Sequence, residues 1–271
     1  MSIAAAVLWS VGTTFAFLWV WSLTVSLRPG AKDDIVSIFG CQALAYLLAL
    51  FLILRAYAPF SPIRDFLGIR RTHVAFYPVA VLLGLALQFP ANASYEGICR
   101  AVQSRYPCSR SVDDRLVDVF TDATSGKRAL LVAVIVLLGP LLEEMFFRGA
   151  LFRPLRRRYR PGSAIVASAA LFAIAHAEWQ MFLPIALVGI ALGMIRAFSG
   201  SIVPAVVLHT TFNAIPIYAA LTGQASQGGG EMPPTSLIAG GSVATLLLLG
   251  IVQFIGRRAR SAIAVREKDR R

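Results

Sequence analysis

Eight apolar stretches, at about residues 3–27, 35–54, 74–91, 129–152, 162–178, 181–198, 202–220 and 236–256, constrain this chain more than any other feature. About 20 consecutive apolar residues are enough to cross a bilayer as a helix. Hydrocarbon offers no partner to a bare N–H or C=O, so a spanning segment must satisfy its own backbone. The chain therefore reads as all-α, a polytopic transmembrane helical bundle of about eight helices. Only 15% of its 271 residues are charged and 57% are hydrophobic, whereas a soluble domain carries about 25% charge. The first run is too long for the core of a signal peptide and has no basic residues before it, so an uncleaved first helix is expected.

The formal net charge of +12 does not point to nucleic acid, because no basic face with interleaved polar and aromatic residues is present. Most Lys and Arg fall in short runs between apolar segments. These are Arg55 to Arg71, the six arginines from Arg148 to Arg160, Arg196, and the run from Arg257 to Arg271. The positive-inside rule then places both termini in the cytoplasm. The segment 92–128, diluted by Glu96, Asp113, Asp114, Asp118 and Asp122, falls on the opposite side as the one sizeable extramembrane piece before the tail. One membrane domain is expected over 1–256, with catalytic core helices at 129–220 and a basic cytoplasmic tail at 257–271. Composition places it in a bacterial inner membrane. Of three cysteines, Cys41 lies in a span and suits packing, while Cys99 and Cys108 could pair if their loop faces an oxidising compartment.

Charged groups inside spans cost about 3 kcal/mol each at the centre and usually serve function. Here LLEEMFFRG carries Glu143, Glu144 and Arg148 at the end of an apolar run. LFAIAHAEW carries His176, and VVLHTTFN carries His209 and Asn213. Glu143 lies 17 residues before the basic turn at Arg160 and His176 lies 16 after it, so an antiparallel hairpin sets them at matching depth. His209 follows the Ser199-Gly200-Ser201 turn closely enough to reach the same level. Two carboxylates, two imidazoles and an amide thus converge from three helices.

Glu144 and Arg148 are i,i+4 partners and can form an ion pair. Glu143 points about 100° round the helix and lacks such a partner, which suits a general base working on water. His176 could orient that water. His209 and Asn213 could donate to a developing oxyanion. The bland reading of each remains: a structural ion pair, a hydrogen-bonded core histidine, and an asparagine bridging two helices. Gly189 and Gly193 form a small-xxx-small pair for close helix packing.

These residues resemble the CPBP family of CAAX proteases and bacteriocin-processing enzymes, also called Abi. Its signature EExxxR, FxxxH and HxxxN is read here as EEMFFR (Glu143 to Arg148), FAIAH (Phe172 to His176) and HTTFN (His209 to Asn213). The resemblance covers about 129–220. It implies an intramembrane endopeptidase of the glutamic type, hydrolysing a peptide bond near the C-terminus or leader of a membrane-associated protein or peptide. By it, Glu143 and His176 activate water, Glu144 and Arg148 support the site, and His209 with Asn213 form the oxyanion hole. No cofactor is implied in that scheme. A zinc-dependent variant would use Glu143, His176 and His209 as ligands. A catalytically silent immunity or scaffold protein is the competing class. A transporter is disfavoured because no repeat symmetry is evident.

Overall fold

The computed structural model describes residues 1–102, 119–121, 123–222 and 234–268. Among these, helices account for all regular structure. They are α1 (Ile3–Leu27), α2 (Ile35–Tyr57), α3 (Ile63–Leu67), α4 (Phe76–Ala86), α5 (Gln88–Val102), α6 (Ser125–Arg156), α7 (Pro161–Ala175), α8 (Phe182–Ser199), α9 (Val203–Thr222) and α10 (Thr235–Lys268). Seven helices, counting α4–α5 as one, are long and apolar enough to cross a membrane, and α7 is a shorter apolar helix of 15 residues. The architecture is an all-α polytopic bundle. Leu8, Phe15, Trp19 and Leu246 are among many large apolar side chains left exposed on its outside, as lipid-facing surface requires.

The ends of these helices follow from local chemistry. Orphan N–H groups in the first turn are accepted by Ser2 for α1 and Asp34 for α2, at 3.1 and 3.2 Å, and by Thr124 for α6. Pro161 opens α7, where its missing N–H costs nothing. Gly200 ends α8 in the left-handed conformation, φ 71°.

Helix α1 pairs with α2, α7 with α8, and α4 with both α9 and α10. The tightest approach is α7 against α8. A Cβ on Gly189 would lie 3.0 Å from Ala169 Cα, and one on Gly193 would lie 3.1 Å from Ile165. The small-xxx-small pair thus does bring these helices close. Met1 donates from its amino group to the Pro154 carbonyl, and Gly256 of α10 rests on Phe198. Both flanking helices therefore reach the same, arginine-rich end of the bundle.

Two boundaries differ from the sequence reading. Residues 92–102, expected to be extramembrane, are helical as the end of α5, which follows α4 directly, and Phe76–Val102 together are long and apolar enough to cross. Residues 257–268 of the expected basic tail continue α10 without a break. The Cys99–Cys108 pairing falls on Cys108, which lies outside the described residues.

Helix α6 is irregular. Two π-helical stretches, Ala133–Leu138 and Met145–Leu151, bracket Gly139–Glu144. Side chains from other helices bond to carbonyls in both. Asn213 Nδ2 donates to Ile135 O at 3.1 Å, and Arg196 Nε donates to Arg148 O at 2.9 Å. Such bonds support a distorted backbone where water is scarce.

Candidate active site

The acidic doublet is split between core and cavity. Glu144 is fully buried and accepts from Arg148 Nη1 at 3.0 Å, forming the i,i+4 ion pair expected from the sequence. Arg148 is equally buried. Its Nη2 donates to Gly189 O at 3.1 Å, and its guanidinium carbon lies 4.4 Å from the centre of the Phe172 ring. Burying two charges is favourable only when their remaining hydrogen-bond capacity is largely met. A carbonyl, an aromatic face and the His209 ring supply part of it here, while Glu144 Oε2 and Arg148 Nε are buried without a hydrogen-bond partner among the described residues.

The Nδ1 of His209 lies 3.1 Å from Glu144 Oε1, and its Nε2 lies 3.7 Å from Glu143 Oε2. Glu144 Oε1 already accepts from Arg148, so the hydrogen on this side belongs to Nδ1, leaving Nε2 directed at Glu143. The result is a relay of four groups in contact order Glu143, His209, Glu144, Arg148, drawn from α6 and α9.

Glu143 is the outermost member, with its side chain 15% exposed. It lines a cavity of about 360 Å³ together with His176, Tyr46 and Phe147. His176 caps the C-terminus of α7. Its Nδ1 is 2.8 Å from Phe172 O. A carbonyl can only accept, so Nδ1 carries hydrogen and Nε2 is the free acceptor. The chain then turns sharply, with Ala177 at φ 56°.

The structure thus brings Glu143, Glu144, Arg148 and His209 into direct contact and places His176 on the same cavity. Asn213 is on the same helix as His209, but its amide nitrogen is engaged with Ile135 O on α6. That contact is the helix-bridging one.

Sequence reasoning missed two parts. In the sequence Phe172 stands out only by its spacing from His176, yet its ring lies edge-on to both imidazoles, with centroids 4.7 Å from His176 and 5.6 Å from His209. The cavity also has walls from α1 and α2, including Ser10, Thr13, Thr14 and Gln42. The i, i+3, i+4 spacing of those three hydroxyl residues in an apolar helix was the available signal.

Among the described residues no group of three His, Cys, Asp or Glu side chains is placed to hold an ion. His209 has both nitrogens turned to carboxylates, and His176 Nδ1 is taken by a carbonyl.

Residues 125–215 match the family model described as type II CAAX prenyl endopeptidase Rce1-like. This is the CAAX-protease family that the three motifs resemble. The matched residues include Glu143, Glu144, Arg148, His176, His209 and Asn213. The match supports an intramembrane endopeptidase of CAAX type, and with seven membrane-compatible helices the chain is an integral multi-pass membrane protein. No curated protein and no solved structure matches the chain.

Proposed function

We propose that the protein is a glutamate-dependent intramembrane endopeptidase acting on a membrane-associated protein or peptide near its C-terminus or leader. The observation that carries this reading is the shared cavity of Glu143 and His176, into which only one carboxylate of the doublet faces. The arginine-rich end of the bundle, and with it both termini, faces the cytoplasm by the positive-inside rule.

In the reaction, Glu143 takes a proton from a water held between its carboxylate and His176 Nε2. The hydroxyl oxygen attacks the scissile carbonyl carbon, and the carbonyl π electrons move to oxygen. That oxyanion accepts from His209 Nε2–H when Nε2 carries a hydrogen. Glu143 then passes its proton to the leaving nitrogen, the C–N bond breaks, and acid and amine are released. General base catalysis and oxyanion stabilisation each contribute about 10²–10⁴-fold in enzymes using them. Glu144 and Arg148 hold His209 in place, and Asn213 fixes α9 against α6. Asn213 is thus assigned to positioning rather than to the oxyanion hole.

The test is hydrolysis of a fluorogenic C-terminal peptide by purified protein, comparing wild type with Glu143→Gln. Loss of turnover in a variant that elutes and melts like wild type supports the proposal. Equal turnover removes it and leaves a binding or scaffold protein. Chelator in the same assay should change nothing; full inhibition reversed by zinc would replace the glutamate scheme.

A further inference from the structure

The arginine-rich end of the bundle contains a second cavity, of about 220 Å³, lined by Asp65, Gly68, Arg70, Arg153, Arg156 and Arg196 among others. It is separate from the peptidase cavity, with which it shares no lining residue. Four guanidinium groups meet there, and among the described residues none of them has a carboxylate within ion-pair range. Asp65 is the only acidic side chain in the lining; Arg153 donates to its backbone carbonyl, and its carboxylate acts on Arg153 only at longer range.

Arg196 is the deepest member, only 7% exposed. Its Nε is spent on Arg148 O at 2.9 Å, which leaves both terminal nitrogens for the cavity. The backbone is shaped around it. Gly68 sits at φ 77°, and a Cβ there would overlap Arg196 Nη2. The loop after Gly68 is pinned to the α8–α9 turn, with Ile202 N donating to Gly68 O at 3.1 Å and Thr72 Oγ1 to Ser199 O at 2.9 Å. The site is therefore held open by hydrogen-bonded backbone.

A buried cation with no carboxylate in ion-pair range is costly, and like charges beside it raise the cost. An anion bound among the four reverses the sign of each interaction. Guanidinium groups bind phosphate oxygens through paired N–H donors, and the cavity accommodates one phosphate with room for its ester substituent. Its position at helix ends is the depth of lipid headgroups, where basic pockets between helices take anionic lipid. We infer that this arginine cavity is a binding site for a phosphate group, carried by an anionic phospholipid headgroup or by free phosphate.

The experiment uses the full chain in a non-ionic detergent. Thermal unfolding is followed while short-chain phosphatidylglycerol, short-chain phosphatidylcholine or inorganic phosphate is titrated in. A rise in midpoint with phosphatidylglycerol and little with phosphate assigns the lipid as source. An equal rise with phosphate alone assigns the free ion. In either case the rise should vanish in the Arg70→Gln/Arg156→Gln double variant, which leaves Arg196 and its bond to Arg148 intact. Lipid carried through size-exclusion should also fall at least about tenfold, equivalent to the loss of one or two charge-assisted bonds. The inference is overturned if neither ligand shifts the midpoint, if phosphatidylcholine matches phosphatidylglycerol, or if the double variant responds like wild type.

Discussion

Glu144 holds His209 by its Nδ1 at 3.1 Å across 65 residues of chain, while anchoring Arg148 through the same oxygen. One oxygen thus couples α9 to the ion pair inside α6. Glu143, its neighbour, touches the same ring from the other side at 3.7 Å. The two glutamates should therefore fail differently. Glu144→Gln leaves Arg148 buried against a neutral amide and should cost about 3–5 kcal/mol, as broken buried pairs do. Its signature is poor yield and a lowered unfolding midpoint. Glu143→Gln should keep its midpoint and lose turnover by about 10²-fold or more. Identical behaviour of the two variants would refute this division of labour.

Asn213 gives the second prediction. Its amide bonds Ile135 O between helices, and such bonds in membranes are worth about 0.6–1.7 kcal/mol. Asn213→Ala should lower the midpoint by a corresponding amount. Turnover should fall far less than in His209→Ala, which removes the group next to Glu143. A loss of about 10²–10³-fold in kcat with an unchanged midpoint would instead place the amide on the oxyanion.

Much of this site was readable in one dimension because it is built from helices. The i,i+4 spacing of Glu144 and Arg148 forces an ion pair wherever the helix is buried, and equal distances from the Arg160 turn set Glu143 and His176 on one cavity. What spacing cannot convey is which neighbour supplies a partner. The π-helical stretches around the doublet go with donors from Asn213 and Arg196, which lie more than 45 residues away. Phe172 looks like any apolar residue until Arg148 and two imidazoles gather on its ring. Helices α1 and α2 carry no motif, so their part in the cavity was legible only as a faint stripe of Ser10, Thr13 and Thr14. Residues 92–102 misled because polar residues on a helix that packs beside α8 read as a loop.

Gly189 connects packing to the site. Its missing side chain lets α7 approach α8, and its carbonyl accepts Arg148 Nη2 at 3.1 Å. Gly189→Val must push Ala169 away and should cost about 1–3 kcal/mol by overpacking. Because the same shift withdraws a carbonyl from Arg148, turnover should fall along with stability. The midpoint and kcat of Gly189→Val, set beside those of Gly162→Val on the open N-terminal turn of α7 where a Cβ meets nothing, check it. Equal effects at the two positions would sever the link between helix approach and site.

The start of α2 should respond to pH through its capping carboxylate, Asp34. The Ser37 hydroxyl donates to Asp34 at 2.6 Å, and that bond, aided by backbone N–H groups, holds the carboxyl below its ordinary value of 3.8. The unfolded state therefore takes up its proton first as pH falls. The stabilisation is complete above about 3.8 and is lost as pH drops through the lower folded value. Asp34→Ala should cost about 1 kcal/mol near neutrality, in the range of lost N-caps. The gap between wild type and Asp34→Ala, measured as unfolding midpoints from pH 7 downward, should narrow only below about 3.8. Asp34→Asn, which caps without a titrating charge, should keep a constant offset from Asp34→Ala. A gap that closes already between pH 7 and 5 would mean that some other group, not the cap, governs this helix start.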